Sequence, residues 1–93
     1  MRLEGAAALV TGAGTRIGQA IAIGLAQWGC DVGIHYHGSA KGAEDTARAV
    51  RAAGRRAELL QADLRDANAA RALADAAARR LNRLDVTAVG AIR

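Results

Sequence analysis

Three glycines between two apolar segments constrain this chain more than any other feature. Gly12, Gly14 and Gly18 follow the apolar residues 6–10 and open a segment with apolar side chains at helical spacing. In such a unit the first glycine permits a sharp turn, the second lets a ligand approach, and the third lets the helix lie close to the strand. The amides that begin the helix favour an anion. The run predicts a loop for a dinucleotide pyrophosphate; glycines that only turn the chain are the alternative.

Strand and helix patterns alternate along the rest of the chain. The predicted elements are strands at about 6–11, 31–36, 57–61 and 85–89 and helices at 16–28, 39–53 and 66–82. Gly29 and Gly54 are predicted to end the first two helices, and Ser39 and Asp66 to cap the next two. Short alternating elements imply a parallel sheet, and right-handed crossovers order its strands 3-2-1-4. The predicted class is α/β, a Rossmann-like parallel sheet forming half of a doubly wound domain, βαβαβα(β).

This strand order leaves the predicted sheet unevenly covered. The first two helices lie on one face and the third on the other, and the fourth strand is an open edge. The apolar stripe predicted for the third helix comprises Leu73, Ala77 and Leu81, with Ala70, Ala74 and Ala78 beside it. The side chains expected to stay partly uncovered on the face under that helix are those of Val10, Val32 or Ile34. Self-association through the exposed face or edge is therefore predicted.

Composition restricts the class of protein further. The 93 residues are 52% hydrophobic and 24% charged, which suits one domain with a modest core. The apolar runs are too short for a membrane span, and a single cysteine, Cys30, forms no internal disulfide and favours a cytoplasmic location. The formal net charge of +4 raises nucleic acid as a ligand. Aromatic residues are only 2% and acids lie among the arginines, so solvated helix faces are favoured over nucleic-acid binding.

Three motifs in order resemble those of the short-chain dehydrogenase/reductase family. Thr11 precedes the glycine run, whose spacing is similar to the family's Thr-Gly-x-x-x-Gly-x-Gly signature with Arg16 at one glycine position. The segment His35-Tyr36-His37-Gly38-Ser39 resembles the pteridine-reductase-type branch. Ala62-Asp63-Leu64 is similar to the family's Asp-Leu or Asp-Val pair at the adenine ring. The resemblance implies the N-terminal, cofactor-binding half of such an oxidoreductase.

The end of the second strand indicates which dinucleotide is bound. Enzymes that select NAD place Asp or Glu there to bind the ribose hydroxyls, and residues 35–43 include no carboxylate. The resemblance implies that Arg16, His37 and Ser39 carry the 2′-phosphate of NADP, through a guanidinium, an imidazole and a hydroxyl. A solvent-exposed helix arginine and a loop histidine without a ligand are the alternatives. NADP is the predicted cofactor.

The predicted site combines the glycine run with residues that the resemblance assigns. Asp63 is assigned to the adenine amino group, and a turn or helix-capping aspartate is the alternative. No metal site is predicted. The predicted cofactor-binding residues are Gly12, Gly14, Thr15, Arg16, Ile17, Gly18, His37, Ser39, Asp63 and Leu64.

No catalytic residue is predicted within this sequence. The family uses a serine and a Tyr-x-x-x-Lys pair, but the only tyrosine is Tyr36, residue 40 is alanine, and the only serine is Ser39 at the predicted cofactor site. Residues 84–86 resemble the start of the family's fourth strand, and the sequence then departs from its Asn-Asn-Ala-Gly motif. Residues 1–93 are therefore expected to be one truncated dinucleotide-binding half-domain of an NADP-dependent carbonyl or pteridine reductase. A stand-alone nucleotide-binding or regulatory module, completed by a partner, is the other hypothesis.

Overall fold

Four parallel strands and three helices account for residues 4–89, which are the residues that this computed structural model describes. The elements in chain order are β1 (Ala7–Thr11), α1 (Arg16–Gln27), β2 (Asp31–Tyr36), α2 (Ala40–Ala52), β3 (Ala57–Gln61), α3 (Ala67–Leu81) and β4 (Val86–Val89). The sheet order β3-β2-β1-β4 and the parallel pairing confirm the predicted Rossmann-like α/β class. Residues 1–3 and 90–93, which belong to the predicted 1–93 domain, lie outside the described range.

The ends of the helices follow local backbone chemistry. Gly29 (φ +105°) and Gly54 (φ +85°) come after α1 and α2 in the left-handed conformation, as predicted. Asp66 caps α3 by accepting hydrogen bonds from two backbone N–H groups, as predicted. Ser39 occupies the N-cap position of α2, but its side chain makes no capping hydrogen bond. The predicted N-cap position is therefore confirmed, but the capping hydrogen bond is missing because the backbone of Ser39 (φ −98°, ψ 59°) departs from the extended conformation typical of a capping residue.

The face of the sheet that packs against α1 and α2 holds the branched side chains of the central strands. Val10, Val32 and Ile34 are fully buried there. The expectation that they lie partly uncovered under α3 was wrong. Alternate residues of a strand point to opposite faces, and in this register these three point away from α3.

The opposite face of the sheet is packed by α3. Leu9 of β1 and Leu60 of β3 contact Leu73 and Ala77 of that helix. Between the two strands lies Gly33 of β2, where an added Cβ would meet the terminal methyl groups of three leucines at 3.3–3.6 Å. The predicted stripe of α3 is buried at its three principal positions. Its predicted member Ala74 is exposed instead.

Asp85 fixes the start of the edge strand. Its carboxylate accepts a hydrogen bond from the backbone N–H of Ala7 (2.9 Å) and from the Arg83 guanidinium, and its own N–H donates to the carbonyl of Ala7 (2.9 Å). The side-chain bond from Arg83, then the backbone bond from Ala7, lowers the pKa of Asp85. Within residues 4–89, β4 pairs with β1 alone, as the predicted open edge requires.

Candidate functional site

A cleft lies at the carboxyl ends of β1, β2 and β3, where the segments that follow these strands meet. Its volume is about 590 Å³, within the range of small-molecule sites. In open α/β sheets, ligands bind at this edge, next to the strand where the order reverses. The lining residues are Thr11, Gly12, Gly14, Thr15, His35, Tyr36, His37, Gly38, Ser39, Asp63, Leu64 and Arg65.

The glycine run forms a tight loop that leads directly into α1. Gly12 has φ +64°, and its carbonyl accepts a hydrogen bond from the Thr15 hydroxyl (2.7 Å). The same hydroxyl accepts from the N–H of Gly18 (3.2 Å) and so caps the helix. A Cβ at Gly18 would lie 2.1 Å from the carbonyl oxygen of Gly12, so glycine is required there. The first-turn amides of α1 have no intrahelical acceptor because of their position, and they suit an anion.

The α2 helix packs closely behind this loop. The Thr46 hydroxyl is buried, 2.8 Å from the carbonyl oxygens of both Ala13 and Gly42. The Gln19 side chain of α1 also donates to the Gly42 carbonyl (3.0 Å). Sequence reasoning missed Gly42 and Thr46. A glycine inside a helical pattern was the available signal, because it often marks a close packing contact.

His35 of β2 joins the segments that follow β1 and β3, and sequence reasoning missed this residue as well. It is 4% exposed. Its Nδ1 accepts from the N–H of Gly12 (3.0 Å), and its Nε2 lies 2.9 Å from the carbonyl oxygen of Ala62. Because a carbonyl only accepts hydrogen bonds, the hydrogen is on Nε2 and the imidazole is neutral. The backbone carbonyl of His35 also accepts from the N–H of Ala13 (2.8 Å).

Asp63 and Arg65 form an exposed ion pair at the cleft. The guanidinium donates to both carboxylate oxygens, the shortest contact being 2.8 Å, and the backbone N–H of Arg65 donates to Oδ1 (3.0 Å). These bonds, the side-chain ones first, hold the pKa of Asp63 well below its usual range. The Nε2 of His37 lies 3.8 Å from Oδ2 of the same carboxylate. Asp63 therefore has the turn geometry that the sequence left as an alternative, and no sequence pattern singled out Arg65.

Most of the predicted cofactor-binding residues come together, and two do not. Seven of them line the cleft, namely Gly12, Gly14, Thr15, His37, Ser39, Asp63 and Leu64. Gly18 is buried under the loop. Arg16 and Ile17 line a separate open hollow beside α1, and Ile17 is 61% exposed. The predicted convergence of Arg16 with His37 and Ser39 in one cleft is not observed, since the exposed first residue of α1 is not part of the cleft wall.

The Thr11 hydroxyl supports a ligand in the cleft. It is buried, lines the cleft and has no hydrogen-bond partner in the described part of the chain. A buried polar group without a partner is uncommon in native proteins. The glycine loop, the first-turn amides and this hydroxyl together suit a dinucleotide. Among residues 4–89, no cluster of three or more His, Cys, Asp or Glu side chains is placed to hold a metal ion, and no helix is long and apolar enough to span a membrane.

Comparison with known proteins identifies the family. The sequence model described as short chain dehydrogenase matches residues 6–91. The chain belongs to the short-chain dehydrogenase family. An uncharacterized oxidoreductase of Methylorubrum extorquens is 46% identical over 85 residues, covering 91% of this chain and 34% of the relative. A hydroxynaphthalene reductase of Aspergillus fumigatus is 43% identical over 84 residues, covering 90% and 31%. The chain thus spans about a third of the length of these relatives.

A solved structure of the family supports the same conclusion. A short chain dehydrogenase of Burkholderia cenocepacia J2315, crystallised in complex with NADP, is 44% identical with a TM-score of 0.89, and the match covers 94% of this chain and 36% of that one. The family and fold predicted from the motifs are confirmed. The pteridine-reductase-type branch stays a prediction.

Proposed function

We propose that this chain is the NADP-binding portion of a short-chain oxidoreductase of the carbonyl or pteridine reductase type. The proposal is carried by the cleft over the glycine loop, where the buried Thr11 hydroxyl has no hydrogen-bond partner within residues 4–89. The pyrophosphate is assigned to the first turn of α1, and the adenosine to the cleft between the ends of β2 and β3. The residues proposed to hold the cofactor are Gly12, Gly14, Thr15, Arg16, Ile17, Gly18, His37, Ser39, Asp63 and Leu64.

The charges around the cleft favour NADP over NAD. His37 and Ser39 follow β2, where an NAD-selecting enzyme has an acidic residue. Asp63 is the one carboxylate among the described lining residues, and Arg65 pairs with both of its oxygens. This pairing lowers the repulsion that the carboxylate would exert on a 2′-phosphate. We assign the main phosphate contacts to His37 and Ser39, and to Arg16 a contribution from the exposed start of α1. The NADP bound in the Burkholderia relative supports NADP as the cofactor.

We further propose that these residues bind the cofactor without completing the reaction. When bound, NADPH supplies a hydride. The residues of this chain hold and orient the cofactor. The family's proton-donating Tyr-x-x-x-Lys pair does not occur in the sequence, and positioned proton donors contribute about 10²–10⁴-fold to such reactions. NADPH oxidation against pteridines, quinones and ketones should therefore stay at background. Turnover that Tyr36→Phe abolishes would contradict this proposal.

Calorimetric titration with NADP⁺ and NAD⁺ tests the cofactor assignment. Losing one charge-assisted phosphate contact should cost about 1.5 to 3 kcal/mol. We expect His37→Ala and Arg16→Ala to weaken NADP⁺ binding and to leave NAD⁺ binding unchanged. Arg71→Ala, an exposed arginine of α3, is the charge-matched control. Equal affinity for the two dinucleotides in every variant would refute NADP selection.

A stand-alone binding module completed by a partner is the second candidate function. The open edge of β4, which has β1 as its single neighbour within residues 4–89, favours it. The same edge supports the proposal that the chain self-associates. We also propose a cytoplasmic location, supported by the single cysteine, Cys30, which is buried.

A further inference from the structure

Two backbone groups next to the cleft lie just beyond the regular sheet. Gly12 is the first residue after β1, and Ala62 is the first after β3. β1 and β3 do not pair with each other, because β2 lies between them. The Gly12 N–H and the Ala62 carbonyl therefore need partners other than each other. A side chain from β2 is well placed to serve both.

The imidazole of His35 serves both groups. It lies on β2 within one residue of that strand's end, and its two ring nitrogens are 3.0 Å from the Gly12 nitrogen and 2.9 Å from the Ala62 oxygen. Because His35 is 4% exposed, its ring nitrogens depend on these two backbone partners rather than on water. The contacts are possible with one neutral tautomer. If the hydrogen were on Nδ1, two donors, Nδ1–H and the Gly12 N–H, would face each other without an acceptor.

The bond to Gly12 decides how the loop faces the cleft. With the N–H of Gly12 held by Nδ1 and the N–H of Ala13 held by the His35 carbonyl, both amides face β2. The Gly12 carbonyl then faces Thr15, accepting from its hydroxyl and from its N–H (3.1 Å). This arrangement leaves the start of α1, rather than the first residues of the loop, to contact an anion.

We propose that His35 is a positioning residue of the dinucleotide site, which acts through its neutral Nε2–H imidazole by holding the Gly12 amide and the Ala62 carbonyl. The ligand named here rests on the proposed function; the bridge itself rests on the hydrogen bonds of His35. His35 orients the loop that binds the cofactor and takes no part in the chemistry.

Two substitutions separate the two halves of the bridge. In His35→Asn, the side-chain oxygen lies at about the position of Nδ1 and keeps an acceptor for Gly12. In His35→Gln, the longer amide reaches toward Ala62 and leaves Gly12 without its acceptor. Each variant loses one of these two part-buried hydrogen bonds, so their melting temperatures should fall by similar amounts. We expect the Asn variant to bind NADP⁺ within about threefold of wild type and the Gln variant about tenfold more weakly.

Nitrogen-15 NMR of the wild-type imidazole provides a test that needs no variant. The shifts of the two ring nitrogens should show hydrogen on Nε2, and the Gly12 amide shift should move in the Gln variant and stay near its wild-type value in the Asn variant. Hydrogen on Nδ1, or equal NADP⁺ affinity of the two variants, overturns the proposal. If wild-type protein fails to bind NADP⁺, the proposed function is wrong, and the tautomer and the Gly12 shift still decide whether the bridge exists.

Discussion

The contact between Gly42 and the glycine loop can be tested with a single methyl group. In Gly42→Ala, the new Cβ would lie 2.3 Å from the carbonyl oxygen of Gly14 and 3.1 Å from its carbonyl carbon. Ordinary van der Waals contact begins at 3.4 Å, so α2 and the loop must separate by about 1 Å. Both contacts are to backbone, which has no flexible end that can move aside.

Two opposing effects set the size of the change in stability. Alanine raises helix propensity by about 0.5 to 1 kcal/mol relative to glycine. Inserting a methyl group into a packed contact typically costs about 1 to 3 kcal/mol, and more when backbone has to shift. We expect a net loss of roughly 1 to 2 kcal/mol in the free energy of unfolding, out of a usual total of about 5 to 15 kcal/mol. Because the methyl group displaces the loop, NADP⁺ binding should weaken as well.

Gly24→Ala is the matched control for this experiment. Gly24 lies inside α1, and a Cβ added there meets nothing within 4 Å. The helix-propensity gain should therefore appear undiminished, and this variant should be more stable by about 0.5 to 1 kcal/mol. Urea unfolding followed by circular dichroism gives the stabilities, and calorimetry gives the NADP⁺ affinities. If both variants are stabilised equally and bind alike, α2 does not constrain the loop.

Three further predictions concern stability and assembly. Arg83 and the Ala7 N–H lower the pKa of Asp85 in the folded protein, so its charge stabilises the fold above the unfolded pKa of about 3.9, and this contribution is lost as pH falls through the folded pKa. In thermal melts between pH 7 and 2, the melting temperature of Asp85→Asn should therefore fall less with acid than that of wild type. Parallel curves would refute the contribution. Asp66→Ala should lower the free energy of unfolding by about 0.5 to 2 kcal/mol through loss of the α3 cap, whereas Ser39→Ala, whose side chain makes no capping bond, should leave it nearly unchanged in the same urea titrations. Light scattering should show a mass that rises with protein concentration, as the open β4 edge suggests, and a sharply melting monomer at all concentrations would refute self-association.

The fold was predictable because its signals are local. Gly29 and Gly54 mark helix ends through their own backbone conformation, and the glycine run marks the turn into α1. Which face of the sheet each side chain of the central strands points to was not predictable from the same patterns. All five residues of β1 are buried, since both faces of the strand are covered, and a run of four apolar residues (7–10) does not show which face meets which helix. For that reason the position of Val10 was predicted wrongly.

The candidate site was predictable where one segment of chain forms it. Gly12 and Thr15 act within a short loop, and the motif spacing contains their roles. His35 acts on an amide 23 residues earlier in the sequence, and Thr46 acts on a carbonyl 33 residues earlier. Such contacts depend on how the strands and α2 are placed against the loop, which no local pattern encodes. Arg65 was missed for another reason: an arginine in a polar turn is ordinary until its partner, Asp63, proves to line the cleft.

Because Gly33 has no side chain, α3 can pack closely on the sheet at this position. Methyl groups of Leu9, Leu60 and Leu81 lie 3.3–3.6 Å from the position that a Cβ would take. Three leucines from three different elements thus meet over the central strand, and the alanine-rich helix lies close above them. The two sides of the sheet should consequently differ in the substitutions they accept. The side under α1 and α2 already carries branched residues at its centre, whereas a Cβ at the centre of the α3 side would already contact three leucines, so a side chain larger than alanine would displace one of them.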